Sequence, residues 1–458
     1  MIYILLIIFI AMLIGVYYLF DKEIIEPVII FVTAYTLSIF CACLNVAKWN
    51  INLSLTTFLV LLIGALEFVA ISYYIHNKFK NKNLKKSKKI TEIKTTKETV
   101  YLSILISTLT LILLICDVIY IAKKYGNFNG ISEMLRIFKD YTSYKGLVKL
   151  NIVVRTLLKI VIANAYIYIF IFINNIIVSK QKIKESIKAN ILYTVCPVIY
   201  ILCSLLQSNR SGIIDYTLII LTTTLILYLM KSRWEEKIKI KKIALIGMIF
   251  AILLVLFYLI AGLVGRENQK NMFDYITYYI GGSIECLNQY IKYPIETKIV
   301  GEETFHNLLT NLNDMHITNL DLNSSIHLEF RYYGETMIGN IYTAYRRWIH
   351  DFGYIGAFIL NGFMAVFFNV FYNKIKYNNY KKEKIMLLII IYSYMSYSIY
   401  YHPLDSVFYN EFFSRAFILL MFILIIVYMT IMNITFDLKT KEIKYKNKRS
   451  RKWKNMII

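Results

Sequence analysis

The sequence predicts an all-α polytopic membrane protein that crosses the bilayer about eleven times. Three observations carry this prediction. Of the 458 residues, 58% are hydrophobic and the mean hydropathy is +0.53, where a soluble domain has roughly 45–50% apolar residues. The apolar residues gather in runs of about 20, the length of a helix across the hydrocarbon core. Proline (4) and glycine (17) are scarce, so the runs should be unbroken helices, which satisfy their own backbone in lipid. The period-two alternation of an outer-membrane barrel is absent.

In chain order the expected spans are 2–20, 27–47, 53–75, 100–122, 152–178, 190–208, 213–230, 243–264, 352–373, 385–401 and 415–435. The first lacks the basic start and small-residue cleavage site of a signal peptide, so it is kept as a span. The chain divides into a bundle over 1–264, an outer loop over 265–351, C-terminal spans over 352–435 and a basic tail over 436–458. Strict alternation puts 76–99, 179–189, 231–242, 374–384 and 436–458 on one side. These segments hold 33 of the 52 Lys and Arg but only eight acids, and an excess of that kind marks the cytoplasm. The N-terminus and the loop 265–351, with seven basic and eleven acidic residues, then lie outside. The formal charge of +23 is therefore a topology signal, and no nucleic-acid partner is expected. Five of the six cysteines lie in apolar runs, which suggests neither a disulfide framework nor a metal site.

The outer segments are expected to hold short helices. Gly130–Lys139 has Ile/Leu/Phe spacing suited to an interfacial helix. Phe273–Tyr293 is aromatic and amphipathic, with an expected break at Gly281-Gly282. Between Met337 and Trp348 the residues Ile341, Tyr345 and Trp348 fall on one face of an expected helix. Arg346 with His350, and Arg347 with Asp351, are four apart and stack on a neighbouring face.

Arginine is the informative residue. Eleven are present, and eight (Arg136, Arg155, Arg210, Arg266, Arg331, Arg346, Arg347, Arg415) fall in outer segments or at outer span ends, against the topology trend. Their planar forks grip phosphate oxygens in pairs. The bland alternatives are snorkelling and local pairs such as Arg347–Asp351. Arg210, in the turn Asn209-Arg-Ser-Gly212, is pinned at the membrane surface, where an ionisable residue is a functional hypothesis by default. His350, Asp351, His402, Asp405 and Glu411 are candidate proton acceptors, and the loop 401–411 should bring three of them near Arg415. Asp314, His316, Asp321, His327 and Glu329 match no metal-ligand spacing. No Walker loop, HExxH or nucleotide-binding glycine fingerprint is present, so no cofactor and no metal are expected.

These features resemble bacterial oligosaccharide repeat unit polymerases, the O-antigen polymerase (Wzy-like) family, and more loosely O-antigen ligases. The resemblance rests on Asn209-Arg-Ser-Gly212, on the late outer loop opening near Tyr278-Tyr-Ile-Gly-Gly-Ser283, and on its exit through Trp348-Ile-His-Asp-Phe-Gly-Tyr-Ile-Gly356. It implies a GT-C-like, metal-independent glycosyltransferase of the bacterial cytoplasmic membrane that joins polyprenyl-diphosphate-linked glycans, donor and acceptor, into a surface polysaccharide. The diphosphate would meet Arg210, Arg266, Arg346, Arg347 and Arg415. His350 or Asp351 would be the base or its orienter, with His402 a further catalytic candidate. A flippase and a chain-length regulator would be partners. The other functions considered are a polysaccharide or lipid transporter and a ligase-type transferase. The enzymatic reading requires the outer guanidinium groups to share one cavity.

Overall fold

The computed structural model describes residues 1–82, 90–238, 240–263, 271–323, 327–377, 380, 382–437 and 442–445. The chain opens with α1 (Ile2–Leu19), α2 (Pro27–Cys43), a single turn α3 (Val46–Trp49), α4 (Leu55–Lys80), α5 (Lys97–Tyr125) and a short α6 (Ile131–Lys139). Next come α7 (Ile152–Val178), α8 (Ile183–Asn190), α9 (Val195–Leu206), α10 (Arg210–Lys231), α11 (Ile240–Leu263), α12 (Met272–Lys292) and α13 (His306–Asp314). A hairpin of β1 (Arg331–Tyr333) and β2 (Thr336–Gly339) leads into α14 (Ala344–Lys376), α15 (Lys382–Tyr401), α16 (Val407–Phe412) and α17 (Arg415–Asn433). The described chain ends in a second hairpin, β3 (Ile434–Asp437) with β4 (Glu442–Tyr445).

Helices start where the sequence supplies caps. Ser54 and Thr96 accept the backbone N–H of Thr57 and Thr99 at the starts of α4 and α5, and Asn209 and Asn271 do the same for α10 and α12, satisfying donors that have no partner inside the helix. Among the described residues eight helices are long and apolar enough to cross a membrane: α1, α4, α5, α7, α8 with α9, α10, α14 and α17. α2 is apolar but only 17 residues long. α11 and α15 occupy the places of two more expected spans. The long apolar helices keep apolar outward faces: on α1, Ile4, Ile7 and Ile14 are exposed, as a lipid-facing helix requires.

Helix ends that belong on one side meet there. Lys376 at the end of α14 lies 2.7 Å from Glu23 and 3.5 Å from Glu26, and His76 near the end of α4 lies 3.1 Å from Glu26. Pro27 begins α2 there, where its missing N–H is harmless.

At the opposite end α12 lies against α2 and the start of α4. It is one unbroken helix, so Gly281 and Gly282 do not interrupt it as expected. They are contact points. A Cβ on Gly281 would come within 2.5 Å of the Ala42 backbone nitrogen, and one on Gly282 within 2.8 Å of the Ile338 carbonyl oxygen. Asn288 fixes the other half: its Oδ1 accepts from Ser54 N–H at 2.9 Å and from Thr57 Oγ1 at 3.1 Å, and its amide donates to the Asn52 carbonyl.

Two further expectations are corrected. Residues 337–343 are not helical: β2 and a connector occupy them, so Ile341 does not share a helix face with Tyr345 and Trp348. Tertiary contact decided this, because Ile338 is fully buried against α12. The last outer helix and the following span are joined as α14, with a break at Gly353 (φ +67, ψ −174), a conformation open to glycine and strained for other residues. Ala344–Phe352 therefore runs in its own direction before the span begins.

Candidate functional site

Three arginines are buried among the described residues: Arg210, Arg346 and Arg347. Their surroundings differ. Arg210 is the first residue of α10 and 5% exposed. Its Nη1 donates to the Tyr275 hydroxyl at 2.9 Å, and its guanidinium lies 4.7 Å from the centre of the Phe257 ring. No carboxylate among the described residues pairs with it. The energetic cost of burying a guanidinium without a counter-charge is several kcal/mol, and a phenol and a ring face offset only part of that.

Arg346, in the first turn of α14, is held from both sides. It lies 2.5 Å from Glu303 and 3.1 Å from Glu329, with its guanidinium 4.0 Å over the Tyr290 ring. Arg331 on β1 also bonds Glu329, at 2.9 Å, and the Tyr342 hydroxyl at 3.0 Å. One turn along α14, the His350 ring takes Tyr290 Oη at 3.2 Å on Nδ1 and lies 3.6 Å from Glu303 on Nε2. Arg347 pairs with Asp405 at 2.8 Å, not with Asp351. The Asp351 carboxylate instead accepts the backbone N–H of Thr304 at 2.6 Å and of Glu303 at 3.4 Å. Asp351 thus anchors the loop that presents Glu303.

The two carboxylates on Arg346 are driven apart in acidity. Burial pushes Glu303 up to about 7, outweighing the attraction of Arg346 and Arg347. Burial would also raise Glu329, but Arg346, a backbone amide, Tyr342 and Arg331 together hold it below its usual value. Two neighbouring carboxyls separated in this way, one ionised and one poised near neutrality, form a pattern that acid–base sites use.

The described arginines do not meet at one point. Tyr275, which touches Arg210, and Tyr290, which touches Arg346, are fifteen residues apart on an unbroken α12, about 22 Å at 1.5 Å per residue. Arg346, Arg347 and Arg331 pair with carboxylates, and Arg346 lies at the other end of α12 from Arg210. Arg136 pairs with Glu133, while Arg155 and Arg415 are exposed. Arg266 lies outside the described residues. The loop 401–411 does not gather on Arg415: Asp405 turns to Arg347, Glu411 bonds the Tyr397 hydroxyl, and His402 points into the core. His402 is 1% exposed, bonded to the Tyr35 hydroxyl at 2.7 Å and ringed by Phe31, Tyr345 and Trp348, and burial pushes its imidazole down to about 3. That is a packed core histidine. Among the described residues no group of three or more His, Cys, Asp or Glu is placed to hold a metal ion.

No local pattern in the sequence marks Glu303, and Glu329 stands there only among acids without metal-ligand spacing. Neither lies at helical spacing from its arginine. The one available signal was bulk charge, because two adjacent arginines in an acid-rich loop need counter-ions from somewhere. No family model matches the chain, and no curated protein or solved structure is significantly similar to it.

Proposed function

We propose that this protein is a membrane glycosyltransferase that polymerises polyprenyl-diphosphate-linked oligosaccharide units on the outer face of a bacterial cytoplasmic membrane. In this reading α2, α11 and α15 join the eight long apolar helices as eleven passes of a GT-C-like bundle. The observation that supports it most is Arg210, a buried guanidinium at an outer helix end with no carboxylate partner among the described residues. It is disposed to take an anion at headgroup depth, which is where a lipid-linked diphosphate sits.

Polymerisation uses two lipid-linked diphosphates. The one on the donor leaves as the acceptor's terminal hydroxyl attacks the anomeric carbon. The one on the acceptor stays a glycan length away from that hydroxyl. This reading replaces the single cavity expected from the sequence with two separate diphosphate places, and the 22 Å estimated along α12 suits that division. Arg210 would hold the acceptor's diphosphate. Glu303, steadied by Arg346 and neighbouring His350, would take the hydroxyl proton, and Arg346, Arg347 and Arg331 would offset charge developing on the leaving diphosphate.

The test is elongation of a polyprenyl-diphosphate glycan by purified protein in chelator. Arg210→Ala should raise the KM for the acceptor by roughly 10- to 100-fold, the loss of a charge-assisted bond, while kcat changes little. Glu303→Gln should lower kcat by about 10²–10⁴. Normal elongation by both variants would overturn the proposal. A transporter is the second reading, favoured by Glu67 in the middle of α4, whose carboxylate accepts from the Asn361 amide at 2.7 Å on α14. Movement of the labelled glycan lipid across liposomes without growth, abolished by Glu67→Gln, would select it.

A further inference from the structure

A groove of about 660 Å³ runs between α4 and α14 on the lipid-facing side. Its walls are Ala70, Ile71, Tyr74 and Ile75 with Phe79 from α4, and Val366 and Val370 from α14; Lys78 and Lys82 stand at one mouth. We propose that this groove holds one anionic phospholipid, its acyl chain along the apolar wall and its phosphate on Lys78 and Lys82.

Length supports a lipid of a single leaflet. Ala70 to Lys78 is eight residues, about 12 Å along a helix, which is close to half of a hydrocarbon core of about 30 Å. The groove therefore starts near mid-bilayer and reaches the headgroups where α4 ends. Charge decides the kind of lipid. Lys80, between the two lysines in sequence, is bonded to Asp21 at 2.8 Å. Among the described residues no carboxylate pairs with Lys78 or Lys82. The Lys78 ammonium lies 5.8 Å from the centre of the Tyr74 ring, which orders it at the mouth. A second copy of the chain is a poor occupant, because a symmetric contact here would set these lysines against their own images.

The site is independent of Arg210 and of the acid–base cluster, so it stands or falls apart from the proposed activity. The experiment uses the full-length protein, delipidated and returned to nanodiscs of phosphatidylglycerol or of phosphatidylcholine, with retained lipid counted by native mass spectrometry after release into detergent. One phosphatidylglycerol should be retained and phosphatidylcholine should not. Each lysine near an anionic headgroup contributes about fivefold in affinity, so the K78Q/K82Q variant should retain phosphatidylglycerol roughly 30-fold more weakly. A photoactivatable phosphatidylglycerol should label α4 and α14 peptides in the unmodified protein, and Val366→Trp, which fills the groove, should remove that labelling. Equal retention of both lipids, unchanged retention by K78Q/K82Q, release by inorganic phosphate alone, or labelling elsewhere would each overturn the proposal. If Val366→Trp fails to fold, the lysine variant alone decides.

Discussion

The Arg346 cluster makes a prediction whose size follows from its geometry. Arg346 is 1% exposed and its two carboxylate partners are 18% and 28% exposed. Replacing it with Met keeps most of the volume and removes the charge. Glu303 and Glu329 then lose the guanidinium between them. Breaking a buried ion pair by deleting one member costs roughly 3–5 kcal/mol; the partial exposure of both acids relieves some of it, and about 2–4 kcal/mol is expected. The loss is the penalty of orphaned charge, so it should shrink when the orphan is removed. Glu303→Gln alone should cost little, because burial already disfavours its ionised form, whereas Glu303→Gln on top of Arg346→Met should restore part of the stability. Unfolding in detergent by urea, followed by tryptophan fluorescence, measures all four corners of this cycle. The Arg346→Met deficit should also narrow at acid pH, where the orphaned carboxyls protonate. If the two substitutions add within about 0.5 kcal/mol, as uncoupled sites do, the network described here is not a unit and the reasoning fails.

Three more outcomes are expected. Glu303 is raised to about 7 in the folded protein, so the native state holds its proton between the usual carboxylate range and neutrality; stability should fall as pH rises through about 7, while elongation, which needs the free base, should rise over the same interval, and both limbs should vanish in Glu303→Gln. Gly281→Ala should destabilise by about 1–3 kcal/mol despite the better helix propensity of alanine, because its Cβ meets α2 backbone that cannot step aside; Gly15→Ala, with nothing within 4 Å, should be neutral or stabilising in the same assay. His402→Ala should cost roughly 2–4 kcal/mol of stability through the cavity it leaves yet keep normal turnover per folded molecule, and a specific loss of kcat would return His402 to the chemistry.

Local chemistry made much of the fold legible in the sequence. Hydropathy runs found the long helices, and the four-residue spacing of Arg346 with His350 and of Arg347 with Asp351 put both pairs on one helix. What failed were statements about partners. Asp351 matched Arg347 in spacing, but Asp405, 58 residues away in sequence, takes that arginine. Glu303 and Glu329 reach Arg346 only because the chain between α12 and α14 folds back over these helices. Glycine pairs were equally ambiguous: Gly281-Gly282 could break a helix or let two helices touch, and only the neighbouring backbone of Ala42 decides between them. Arg210 was legible because its turn leaves no freedom: it opens α10 and is buried there.

Under the proposed function, Gly281 bears on which substrates are extended. A helix seated backbone-to-backbone on its neighbour cannot slide, so α12 is a spacer of constant length between Arg210 at one end and His350 at the other. If these two places grip the two ends of one glycan, the protein would measure its acceptor: units too short to bridge the gap would be bound at one end only and left unextended.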